Sequence, residues 1–256
     1  MNSKAYRYFL HCSYDGTPYH GWQIQPNANS VQETLNTALS ILLREEVYSI
    51  GAGRTDTGVH ARHMVVHFEV DQVLKDCERW VYKLNKYLPD SIAIQRIFSV
   101  SKEFHARFSA TKRCYVYSID RHKDPFSVNK AWLYRGPLDI EKMNKAASAL
   151  LQVKDFASFA KAGHQSKTTL CSVTRAEWKR EGNQWNFYIE ADRFLRNMVR
   201  AIVGTTVEIG QGKITLAEWE NIILSGARSE AGVSAPACGL YLNKIEYPIE
   251  VEGPLG

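Results

Sequence analysis

The sequence predicts an α+β protein made of two subdomains with similar element order. Stretches of period-two alternation and of helical periodicity take turns along the whole chain, and each half opens on a strand. Hydrophobic residues make up 45% and charged residues 23%, a composition that folds rather than one that stays disordered. At 256 residues the chain can bury roughly three quarters of its unfolded surface, so it needs no disulfide or structural metal. A soft boundary near residue 105 divides it into residues 1–104 and 105–256.

Residues 6–14 alternate, with Tyr8, Leu10, Cys12 and Tyr14 on one face, and form the first strand. Asp15-Gly-Thr-Pro18 opens a polar loop through Gly21-Trp22-Gln23 to Ser30, where Ser30 and Glu33 have the spacing of a capping box. The helix it starts keeps Val31, Leu35, Ala38, Leu39 and Leu42 on one stripe to about Arg44. A glycine-rich loop at 51–58 leads into a strand at 64–70. A second helix carries Cys77, Trp80, Val81, Leu84 and Leu88 and stops at Pro89, before a strand at 92–100.

The second half begins with a strand at 113–121 and a surface connection at 124–129. Then follow a helix at about 140–151, strands at about 170–180 and 184–191, and a helix from about 193. A Thr215–Glu218 capping box starts another helix, and a strand at 238–246 closes the chain. The parallel between the halves suggests duplicated ferredoxin-like subdomains with mainly antiparallel sheets flanked by helices. No sequence repeat connects them.

The net charge of +5 and a pI near 8.9 suit a protein that meets phosphates, without excluding other partners. Five cysteines, Cys12, Cys77, Cys114, Cys171 and Cys238, are scattered without a C-x-x-C pair and read as reduced structural residues. No apolar run approaches the roughly 20 residues of a membrane span, and Met1-Asn-Ser-Lys lacks a signal-peptide core, so the expected location is the cytoplasm.

The segment Gly51-Ala-Gly-Arg-Thr-Asp-Thr-Gly-Val-His-Ala61 concentrates candidate chemistry. Three glycines permit backbone conformations closed to other residues, and they flank Arg54 and Asp56. Alone, the Asp-x-Gly at Asp56 reads more readily as a residue capping a turn in an ordinary surface loop. Asp56-Thr-Gly58 matches the aspartic-protease triplet, but that chemistry needs two such carboxylates and Asp15 lacks the rest of the pattern. The glycines fit neither nucleotide-phosphate motif, and His60, His63 and His67 match no zinc spacing, so neither a metal nor a cofactor is expected.

Gly53-Arg-Thr-Asp-Thr-Gly-Val-His-Ala61 closely resembles the signature loop of the TruA family of tRNA pseudouridine synthases. Further blocks resemble that family in its own order: Tyr14-Asp-Gly-Thr17 with Gly21-Trp22-Gln23, Phe104-His-Ala-Arg-Phe-Ser-Ala110 with Arg113-Cys-Tyr-Val-Tyr117, Phe194 to Gly204, and Ala235 to Leu242. The resemblance covers essentially the whole chain. It departs at Thr57, where Ala is common, and at Arg62-His63-Met64, where Thr-Gly-Gln is more usual.

The resemblance implies the pseudouridine synthase fold, two RRM-like subdomains with the active-site cleft between them. It implies isomerisation of uridines in the anticodon arm of tRNA, at positions 38, 39 and 40, without a cofactor. Asp56 would be the catalytic carboxylate, Arg200 its charge partner, and Tyr115 the residue that stacks on the target base and is a candidate for removing its C5 proton. Arg54 would hold the target phosphate or fill the space of the flipped base, unless it serves only a salt bridge within the loop. Phe104, Arg107, Gln165, Ser166 and Lys167 fall in segments that resemble tRNA-contacting ones, and by chemistry alone they read equally as ordinary polar loops.

From the residues themselves, Arg193, Arg196 and Arg200 share one face of the helix expected from 193, opposite Phe194, Leu195, Met198 and Val199. Tyr117 reads as core. The family also implies a homodimer whose subunits jointly hold one tRNA. Competing readings are a tRNA-binding protein that has lost catalysis, a synthase acting on another RNA, and an acid/base hydrolase using Asp56 with His60.

Overall fold

The computed structural model describes residues 4–161 and 167–252. The chain forms two compact units, Met1–Thr111 with Leu242–Gly256, and Lys112–Tyr241. The first division falls close to the boundary expected near 105, and the chain from Leu242 onward goes with the first unit. The fold is α+β, with mostly antiparallel strand pairing flanked by helices.

In the first unit, β1 (Tyr6–Tyr14) pairs antiparallel with β3 (His60–Val70) and with β4 (Ile92–Val100), while β2 (Ile50–Gly51) pairs antiparallel with β3. The order is β4-β1-β3, with β9 (Leu240–Glu246) following β3. The expected face of β1 is buried: Tyr8, Leu10, Cys12 and Tyr14 are at most 4% exposed. The opposite face is covered too, because Phe9 packs against Phe98 and sets its ring edge to face on Tyr247 at 5.4 Å. The unit's longer helices are α1 (Val31–Leu43) and α2 (Cys77–Tyr87), and a short one covers Ile249–Glu252. Ser30 Oγ accepts the Glu33 N–H to start α1, and Asp76 Oδ1 accepts the Arg79 N–H to start α2.

In the second unit, β5 (Lys112–Asp120) pairs antiparallel with β8 (Gln184–Ala191), and β8 with β7 (Val173–Glu181). The short β6 (Trp132–Leu133) runs parallel to β5. The helices are α3 (Ile140–Ala149), α4 (Met198–Gly210) and α5 (Leu216–Ser225). Asn144 of α3 donates to the Trp178 carbonyl and accepts the Trp178 N–H, which satisfies backbone groups on the outer side of β7. Trp219 of α5 is 1% exposed and donates its indole N–H to the Ala146 carbonyl. At Thr215 the capping box is complete in both directions.

Two expectations are corrected. The strand expected at 64–70 begins at His60, so the loop before it is shorter and tighter than the sequence suggests. The helix expected from about 193 begins at Met198. Asn197 adopts φ 66°, a left-handed conformation that interrupts a helix, and Asp192 Oδ1 accepts the N–H groups of Ser172 and Arg193, which ties the start of the segment to the residue before β7. Arg193 and Arg196 therefore do not share a helical stripe with Arg200. Among the described residues, no helix is long and apolar enough to cross a membrane.

Candidate active site

Asp56 sits in a four-residue turn, half-buried, in which the Val59 N–H donates to the Asp56 carbonyl at 3.1 Å. Gly58 takes φ 76° within this turn, a conformation that costs a glycine little and other residues more. Its N–H donates to the Tyr19 carbonyl. On the other side of Asp56, the Thr55 carbonyl accepts the Trp22 N–H at 3.1 Å. The Thr55 hydroxyl lies 2.9 Å from the Tyr14 hydroxyl, and both residues are buried. Bonds from separate parts of the first unit thus hold the backbone on both sides of Asp56.

The loop at 15–22 is built to approach this turn closely. A β-carbon on Gly16 would lie 2.0 Å from the Val59 carbonyl oxygen. Trp22 is 2% exposed and lies against Gly51, where a β-carbon would stand 2.7 Å from the indole ring. The Ala52 N–H then donates to the Val65 carbonyl, which anchors the start of the loop to β3.

His60 is buried, and its Nδ1 lies 3.1 Å from both the Gly16 N and Asp15 Oδ1. One nitrogen cannot serve both partners in one protonation state. With Nδ1 unprotonated it accepts the Gly16 N–H, and Asp15 Oδ1 is occupied by the Thr17 N–H and hydroxyl. His60 thereby ties the loop at 15–22 to the end of the Asp56 turn. Of the positions that depart from the family pattern, Thr57 is exposed in the Asp56 turn and Arg62, His63 and Met64 lie within β3. His63 Nδ1 accepts the Ile245 N–H of β9, and its Nε2 stands 3.2 Å from His11 Nδ1 of β1.

The other sequence-predicted residues of the first unit lie elsewhere in it. Arg54 is exposed in the Asp56 loop. Phe104 is half-buried, and its carbonyl accepts from Arg7 at 2.8 Å. Arg107 is exposed beside Phe108, whose ring is 77% exposed. This segment is not a loose surface loop: the Ala106 N–H donates to His67 Nδ1, and Tyr247 donates its hydroxyl to the Ala106 carbonyl.

Burial lowers the pKa of His67 to about 3, helped by repulsion from His105 and Arg7. It lowers that of His11 to about 4, helped by His63 and Arg96. Both rings are therefore neutral at ordinary pH, as an acceptor nitrogen requires.

In the second unit, Tyr115 and Tyr117 point to the same face of β5 but differ in exposure. Tyr115 is half-buried, with its ring edge to face against Phe194 at 5.0 Å. Tyr117 is fully buried and donates its hydroxyl to the Pro236 carbonyl at 2.8 Å, and burial pushes its pKa up. Arg200, in the first turn of α4, donates from Nε to the Ala235 carbonyl at 2.7 Å, while its own carbonyl accepts the Ala235 N–H. This reciprocal pair orients the guanidinium base. Lys167 is exposed, and Gln165 and Ser166 lie outside the described residues.

Sequence reasoning missed five contributors. Tyr14, Gly21 and Trp22 stood in recognisable blocks without a role, and Thr55 was passed over beside Asp56. Phe194 was assigned to a helix face, but it supports Tyr115 from an irregular segment. The usable signal was the pair of glycines in 16–21, since glycine marks close backbone approach.

A family model described as tRNA pseudouridine synthase matches residues 11–109 and 146–248. A tRNA pseudouridine synthase A of Bacteroides fragilis is 48% identical over 246 residues, covering 96% of this chain and 98% of its own. The protein of that name from Bacteroides thetaiotaomicron is 50% identical over 250 residues, covering 96% and 92%. One from Thermoanaerobacter sp. is 44% identical over 236 residues, covering 91% and 96%.

Proposed function

The chain belongs to the tRNA pseudouridine synthase family, and we propose that it isomerises uridine to pseudouridine in the anticodon arm of tRNA, at positions 38, 39 and 40. The observation that carries this reading is the Asp56 turn, whose half-buried carboxylate stands on a backbone held on both sides by hydrogen bonds. A carboxylate fixed this way is prepared for one geometry of attack or proton transfer.

In the proposed reaction the bond from C1′ to N1 breaks, the uracil turns, and C1′ bonds to C5, which then loses its proton while N1 gains one. The atoms of substrate and product are the same, so neither a cofactor nor a redox partner is called for. Asp56 supplies the carboxylate. Arg200 provides the positive charge that keeps it ionised when the site closes. Tyr115 offers its ring to the extruded base and is the candidate to take up the C5 proton. Arg54, Phe104, Arg107, Gln165, Ser166 and Lys167 contact tRNA phosphates, sugars and bases.

The strand order β4-β1-β3, with β2 also on β3, supports reading the first unit as ferredoxin-like. The same proposal includes a cytoplasmic homodimer, which sedimentation equilibrium checks directly. The activity is tested by incubating the protein with unmodified tRNA and mapping pseudouridine with carbodiimide. Modification at the anticodon arm is expected, and none above the no-enzyme control overturns the reading. Asp56→Asn should bind tRNA and form no pseudouridine; retained turnover would remove Asp56 from the chemistry.

A further inference from the structure

The residues that hold the Asp56 turn are themselves testable parts of the proposed reaction. Tyr14 ends β1 and is 4% exposed, and its hydroxyl meets the Thr55 hydroxyl at 2.9 Å in a buried contact. Its ring lies 6.1 Å from that of Trp22, whose amide holds the Thr55 carbonyl. Thr55 is therefore fixed through both its side chain and its backbone, one residue before the carboxylate. Thr55 is 8% exposed, so little water is at hand to replace the tyrosine hydroxyl.

We infer that Tyr14 is a positioning residue for catalysis, acting through the Thr55 hydroxyl to set the direction of the Asp56 carboxylate. This rests on the proposed synthase activity. Tyr14 need touch neither tRNA nor the reacting atoms. Its contribution appears in the chemical step, because a misdirected carboxylate still allows tRNA to bind but reaches C1′ or the base in the wrong geometry. Removing a single buried hydroxyl contact leaves the fold in place, since β1 remains held by ladders to β3 and β4.

The test measures single-turnover pseudouridine formation and tRNA affinity for wild type, Tyr14→Phe, Thr55→Val, Thr55→Ser and the Tyr14→Phe/Thr55→Val double variant. Tyr8→Phe is the control. Its hydroxyl accepts the Leu74 N–H at 2.9 Å, so that variant also loses a buried tyrosine contact, but one away from Asp56.

Tyr14→Phe and Thr55→Val are each expected to slow the chemical step by roughly 10-fold or more with tRNA affinity unchanged. Thr55→Ser, which keeps the hydroxyl, should stay near wild type, and the double variant should be no slower than the worse single one. Tyr8→Phe should lose melting temperature but keep its rate. A Tyr14→Phe rate equal to wild type overturns the inference, as does a loss that Tyr8→Phe shares. Failure of wild type itself to modify tRNA would instead overturn the activity, so the two failures are distinguishable.

Discussion

A β-carbon on Gly21 would lie 2.5 Å from the Thr55 carbonyl oxygen and 3.1 Å from the carbonyl carbon of Asp56. Real atoms do not approach so closely, and Gly21 also takes φ 95°, which disfavours any side chain. The loop at 15–22 can lie on the Asp56 turn only because that position is glycine.

Gly21→Ala should therefore push the two backbones apart and weaken the Trp22-to-Thr55 bond. The expected result is a loss of pseudouridine formation of about 100-fold, since displacement near 1 Å at a reacting group costs on that order. Stability should fall by roughly 1–3 kcal/mol from the strained φ. Activity and melting temperature measured on the same preparation check this, and a fully active variant would show that the turn tolerates the shift.

Tyr115 and Tyr117 make the opposite kind of comparison, because they share a face and a chemistry but not a burial. Tyr117→Phe removes the hydroxyl of a buried ring from the carbonyl of Pro236, itself an exposed residue, and should cost about 1 kcal/mol, a melting shift of roughly 2–4 °C, with turnover per folded molecule kept. Tyr115→Phe should melt close to wild type and lose most of its activity. Circular dichroism melts alongside the tRNA assay separate the two, and a stable, active Tyr115→Phe protein would move the C5 proton to another group.

How far the sequence could be read depended on whether an element is decided by its own residues. The alternation of residues 6–14 made β1 legible, and the Thr215–Glu218 spacing made the start of α5 legible, since both signals are local. At 193–197 the apolar spacing of Phe194, Leu195 and Met198 imitates a helix, but Asp192 ties down the start of the segment by side-chain bonds and Asn197 takes a left-handed backbone. Those choices depend on tertiary partners such as Ser172 and Ser234, which no periodicity reveals. The glycines of 51–58 marked the turn that carries Asp56, while its candidate role rested on the resemblance of distant blocks. Its supports Tyr14 and Trp22 lie more than thirty positions earlier in the chain, and only folding brings them to Thr55.

Two neutral histidines of the first unit, His67 under the 104–108 segment and His11 beside His63, give stability a specific pH dependence. In the unfolded chain an imidazole takes up its proton as pH falls through 6.5, whereas folded His11 does so near 4 and folded His67 near 3. Between these values the unfolded state binds more protons, so stability falls as pH falls. Their contribution is complete above about 6.5 and lost by about 3, with a limiting slope near 1.4 kcal/mol per pH unit for each ring. Beyond burial, His105 and Arg7 disfavour a proton on His67, and His63 and Arg96 one on His11, while Lys244 acts on His63. These neighbours deepen the effect of burial rather than oppose it. His67→Asn keeps an acceptor for the Ala106 N–H but does not titrate, so urea midpoints for the variant should fall less steeply than wild type between pH 6 and pH 4. A variant with the wild-type slope would show that His67 takes its proton in the folded state as readily as in the unfolded one.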